Sequence, residues 1–445
     1  MYKGTVNDTS NSGAQDGTGE EDSNLEDQSF NWKGGLMPIV ILGACAVYSS
    51  TLTLIPYHDV FEYPSFWWEN LIVSGLLYAG LRVSLSQSRE VYLVFKKKNI
   101  ASFHFVLRLF LGSALAFSIP YCGFYVFWTV LQGNNHPMPM VDMLCGFFFQ
   151  IPSICISIWY GFPADLRKQP EFRYRLKQYL VYTLVWSCIG FMELVMDIIF
   201  QSLTTYEMET GIQTQWLMCF VIPIVRGLFE WVLPKPFNKA VGYKKGWTKV
   251  DEDEAATFAL ETQIADLFAL YVAVRLGWAF KLTVYCVLGE AVLENLYSCF
   301  KIIRLNNKIG DATDVQRRKI FKAERDSEIT SLITVETIEI LIPLAYAMAY
   351  TAAYYGPNAA LMSGVKSTYF GMSATTDLGP TMEFLFTMFA VDTAGAILVT
   401  IILGLFCKIN AVKEYCKMMQ KHWITLCLYL SADIFHVSKP NIRVL

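Results

Sequence analysis

Blocks of about twenty apolar residues, separated by short polar or basic stretches, recur along the chain. At ~1.5 Å per residue such a block makes a helix as long as the hydrocarbon core of a bilayer is thick. The ten-residue segments of strict alternation that mark an outer-membrane barrel are missing, so the pattern selects helices over strands. Composition agrees, with 54% apolar and 17% charged residues and a mean hydropathy of +0.35. An ordinary soluble domain carries roughly a quarter charged residues. The expected fold class is all-α, a polytopic transmembrane helical bundle and an integral membrane protein.

Residues 1–35 are rich in Gly, Ser, Asn, Asp and Glu, with acids gathered at Glu20, Glu21, Asp22, Glu26 and Asp27. A segment so poor in apolar residues reads as a disordered acidic tail. Residues 36–256 form a six-span membrane region: Leu36–Ile55, Trp67–Leu85, Phe105–Val130, Met140–Tyr160, Tyr179–Phe200 and Gln215–Val232. The loops holding Lys96 to Lys98, Arg167 to Lys177 and Lys235 to Lys249 are basic, whereas the short loops between them are not. The excess of Lys and Arg marks the cytosolic side, which puts the N-terminus there too.

Residues 257–304 spread Glu261, Asp266, Arg275, Lys281, Glu290 and Glu294 through an otherwise apolar run. The next segment, 305–331, is again basic and reads as a cytosolic linker, so 257–304 crosses an even number of times. It is a helical hairpin broken near Gly277 to Lys281, or else a long amphipathic helix. The bundle accordingly has 10 spans or 8. Residues 332–407 hold two further spans, Leu332–Tyr355 and Phe384–Phe406, around an external loop at 356–382. The last segment, 408–445, reads as a cytosolic tail in which Trp423–Val437 is too short to cross and forms an interfacial or packing helix.

The chemistry centres on Leu332–Tyr355, whose first turns carry Glu336 and Glu339. A charged group at the centre of a membrane helix costs roughly 2.5–3.5 kcal/mol on insertion scales, so such acids face protein, water or a cation. The two are three apart and share one side of the helix. Pro343, four residues past Glu339, has no N–H to return to the Glu339 carbonyl. Carboxylates and a backbone oxygen thus converge on one patch, which reads as an ion or proton site. The bland alternative has Glu336 and Glu339 only about 6 and 10 Å beyond Leu332, snorkelling to the headgroups. Glu193 and Asp197, four apart in the fifth span, and Asp392 in the last one extend the set of inward-facing acids.

Catalysis is not expected. His58, His104, His136, His422 and His436 have no metal-ligand spacing, and no phosphate-cradling glycine loop or nucleophile elbow occurs, so neither cofactor nor metal is called for. The basic clusters coincide with membrane edges, where anionic lipid headgroups rather than nucleic acid are the partner. The eleven cysteines lie in or beside apolar spans or in the C-terminal segment, so no external disulfide framework is implied. Cys407 and Cys416, just inside the last span, read as S-acylation sites. The function expected is a transporter or channel for a small cation or a proton-coupled solute. The alternatives are a membrane receptor or sensor, in which Lys281 could hold a retinal Schiff base, and a non-transporting scaffold.

Overall fold

Helical spacing of the apolar residues predicts helices throughout, and every regular element among the described residues is one. The computed structural model describes residues 32–55, 103–132, 164–185, 280–357 and 378–438, with isolated positions at 68, 71, 72, 94, 159, 162, 188, 232, 235 and 236. In chain order the long helices are α1 (Trp32–Leu54), α2 (Phe103–Gln132), α3 (170–185), α4 (Phe280–Asp311), α5 (Val315–Tyr355), α6 (Leu378–Ile402) and α7 (Ala411–Ser438). The acidic segment 1–31 and the spans expected at Trp67–Leu85, Met140–Tyr160 and Gln215–Val232 lie outside the described residues, isolated positions aside. The span expected at Tyr179–Phe200 is described continuously only to residue 185.

Among the described residues, four helices are long and apolar enough to cross a membrane: Gly34–Leu54, His104–Phe124, the apolar part of Val315–Tyr355, and Thr381–Cys407. They coincide with four of the spans read from the sequence. α5 is buried over most of its apolar length, whereas the other three are buried over a third or less. The exposed sides of those three carry Ile39, Val47, Leu111, Ile119, Ile397 and Leu405. An apolar surface of that extent suits lipid rather than water.

α5 is the hub, packed against α1, α4, α6 and α7. Its small residues explain the close approach: Ala345, Ala349 and Ala353 repeat every four positions and are buried, with Tyr346 and Tyr350 filling the space beside them. The helix runs unbroken through Pro343.

Residues 305–331, read from the sequence as a linker, are helical apart from the turn 312–314. The Asp314 carboxylate caps α5 by accepting from the Gln316 N–H at 2.8 Å. From that turn α4 and α5 run antiparallel. Lys308 lies over the Phe321 ring, Arg325 donates to the Asn306 side chain at 3.0 Å, and Lys301 pairs with Glu328. Each step back along α4 is therefore one step forward along α5. Within 257–304 the description begins at Phe280, and α4 is not among the four apolar spans.

α6 ends in a π-helical turn, Leu403–Cys407, closed by Lys408 in the left-handed region (φ 55°, ψ 33°). The backbone N–H of Ile409 returns to the Leu403 carbonyl at 3.2 Å, and Asn410 then caps α7 by accepting from the Lys413 N–H. α7 is a 28-residue helix, longer than the apolar Trp423–Val437 alone predicts. Its most extensive packing is against α1. A Cβ on Gly34 would stand 2.4 Å from the Cys416 carbonyl oxygen, so the two backbones touch where both helices begin. The buried stripe Met419, His422, Leu426 and Leu430 then continues alongside Ile41, Cys45, Ser49 and Leu52.

Candidate functional site

The antiparallel register of α4 and α5 brings Asn295 level with Glu336. Both are buried, each 5% exposed, and both oxygens of the Glu336 carboxylate are closed off from solvent. The third wall is α6. A Cβ placed on Gly395 would lie 3.2 Å from Asn295 Nδ2 and 3.8 Å from Glu336 Oε2. The absence of a side chain at 395 is what lets the amide and the carboxylate reach the same point against the α6 backbone. Asp392, one turn earlier on the same side of α6, is also buried.

Register also fixes the level of this seam. Thr351 Oγ1 meets Met382 Sδ at 4.0 Å, so α5 and α6 are antiparallel as well. Gly395 lies about 21 Å from Thr381 and about 18 Å from Cys407 along a span of 27 residues. Glu336 is thus level with the middle of the apolar stretch of α6. Counting inward from Leu332 placed it near the membrane edge because apolar sequence begins there, but α5 itself begins seventeen residues earlier and α6 sets the level. The Glu336 carboxylate is turned towards α4 and α6 and is closed to solvent.

Other polar groups near the seam are accounted for locally. Thr334 and Thr337 are buried, but their hydroxyls donate back to the Thr330 and Ile333 carbonyls at 2.7 and 2.6 Å. Cys299, one turn after Asn295, lies within electrostatic reach of Glu336 and of Cys407. Arg325 is the cation within reach of Cys407 at the basic end of the seam.

The residues expected from the sequence therefore separate. Glu336 and Asp392 come to the α4–α5–α6 seam, and Pro343, two turns past Glu336, is buried in the same helix. Glu339 is only half-buried. Glu193 and Asp197 lie outside the described residues. Asn295, Gly395 and Cys299 were not singled out beforehand. The usable signal was the spacing of Asn295, Cys299 and Ile302 at i, i+4 and i+7, the buried stripe of α4. Among the described residues, no three His, Cys, Asp or Glu side chains come together as a metal-binding group.

Comparison adds no relative. No protein family matches this sequence, and neither a curated protein nor a solved structure does. The functional reading rests on the seam alone.

Proposed function

We propose that the chain is a multi-pass membrane transporter or channel of eight or ten spans, moving a small cation or a proton-coupled solute, with Glu336 as the group that exchanges charge. The observation that carries the reading is a carboxylate closed to solvent at the meeting of three helices, level with the middle of the apolar stretch of α6. A charge held there is costly, so the protein keeps it only where a proton or a cation offsets it. The amide of Asn295, which carries both a donor and an acceptor, stands close enough that a small rotation would let it serve either the charged or the protonated carboxyl. Asp392 gives a second carboxyl on the same seam. A single proton neutralises a carboxylate in place, so the proton is the ion tested first.

The test is proton flux into vesicles reconstituted with the purified protein and loaded with a pH-sensitive dye. Glu336→Gln, which keeps shape and removes charge, should abolish the flux while leaving yield and melting behaviour near those of the wild-type protein. Glu339→Gln should retain most of it. Unchanged flux in Glu336→Gln would reject the reading.

A further inference from the structure

The α4–α5 hairpin ends in a basic tip. From the level of Arg325, within electrostatic reach of Cys407 at the end of α6, α5 extends ten residues further to Val315, about 15 Å along its axis. On this tip and the last turns of α4, Arg304, Lys308, Arg317, Arg318, Lys319 and Lys322 are exposed, against two exposed acids, Asp311 and Asp314. Arg318 and Lys322 are four apart and Lys319 and Lys322 three, so these three form one patch on the side of α5. Like charges gathered this closely favour an acidic partner.

The start of α1 is at the same end of the bundle. Gly34 touches the backbone of Cys416, eight residues past Lys408, where α6 closes. Trp32 therefore stands near the base of the tip. The five residues back to Asp27 span at most about 17 Å, and the twelve back to Glu20 at most about 40 Å. Within that interval lie Glu20, Glu21, Asp22, Glu26 and Asp27.

We propose that the acidic segment from Glu20 to Asp27 docks on the basic tip of the hairpin, against Arg318, Lys319 and Lys322. Opposite charge and reach both fit, and the covalent tether gives the segment an effective concentration on the order of millimolar, so weak ion pairs suffice. Anionic headgroups compete for the same patch. Arg318 and Lys319, however, stand about 10 and 9 Å past the level of Arg325 along α5, beyond the ~8 Å over which charges act at physiological salt, whereas Lys322, about 4.5 Å past it, is within that range.

Carbodiimide coupling, which joins a carboxylate to an amine only in contact, tests the docking on the full-length protein. A mixture of isotopically light and heavy chains is used, with the products read by mass spectrometry. The expected result is peptides joining Glu20, Glu21 or Asp22 to Lys319 or Lys322 within one chain. They should be lost in high salt and in Arg317→Glu with Arg318→Glu, which leaves the lysines in place. Reversing both sides, Glu20→Lys, Glu21→Lys and Asp22→Lys with Lys319→Glu and Lys322→Glu, should restore coupling. Absence of these peptides, coupling between light and heavy chains, or no recovery in the doubly reversed protein would overturn the proposal. In bilayers containing phosphatidylserine, protection of Lys319 and Lys322 from acetylation that is the same with and without the tail reversal would overturn it in favour of headgroups.

Discussion

Single glycines report how closely the helices approach, and they separate into three cases. At Gly34 a methyl group would strike backbone, and backbone cannot move aside without parting α1 from α7. Gly34→Ala should therefore destabilise by roughly 1–3 kcal/mol. At Gly395 the nearest atom is the end of a flexible amide, so Gly395→Ala should be tolerated, whereas Gly395→Leu should force the seam apart. Gly289 has open space around it, and Gly289→Ala should stabilise by roughly 0.5–1 kcal/mol. Thermal melts of the four variants in one detergent give the order directly.

The thiols change an expectation at this same scale. Cys407 and Cys416 are both buried, Cys416 against α1, so neither presents a thiol to an acyltransferase. Acyl exchange should label the wild-type protein and the Cys407→Ser, Cys416→Ser variant equally. Next to Cys416, burial and then the Cys416 thiol push Tyr415 up to about 12. Unfolded tyrosine ionises near ~10, so the folded chain holds this proton longer than the unfolded one. The resulting stability is complete below that value and is lost as pH rises towards the folded one. Tyr415→Phe should flatten the alkaline fall in melting temperature.

At the scale of elements, much of the bundle was legible and its lengths were not. Apolar blocks located α1, α2, α6 and the second half of α5, because a span must be apolar wherever it meets lipid. The first half of α5 was read as a linker because Arg317 to Arg325 is dominated by charge. Its helical signal was narrower, in Phe321, Arg325 and Glu328 facing α4. The acids Glu336 and Asp392 stood out in the sequence by their cost in lipid. Asn295 did not, since a neutral amide beside Glu294 carries no comparable signal until packing aims it. The end of α6 holds a device that sequence does not announce, the left-handed Lys408 after a π-helical turn. An L-residue there bears roughly 1–2 kcal/mol of strain, partly offset in a glycine variant by the entropy of the unfolded chain. Lys408→Gly should leave stability equal or slightly raised, and Lys408→Val should lower it.

For the whole molecule, the helices that pack around α5 bring particular ends together. The start of α1, the start of α7, the π-helical turn of α6 and Arg325 of α5 meet at one end, and that end bears the basic hairpin tip. It is the end that the Lys and Arg bias of the sequence predicts to face the cytosol. The seam lies between the two ends, level with the middle of the apolar stretch of α6 and closed by α4, α5 and α6, and the account stands on Glu336 exchanging a proton there. Infrared difference spectroscopy across a pH step, on the protein in bilayers, observes that exchange without reference to any substrate. The predicted result is a protonated-carboxyl band that rises and falls with bulk pH and is missing from Glu336→Gln. A band of that kind unchanged by the substitution, or no pH-dependent carboxyl band in the wild-type protein, would contradict it.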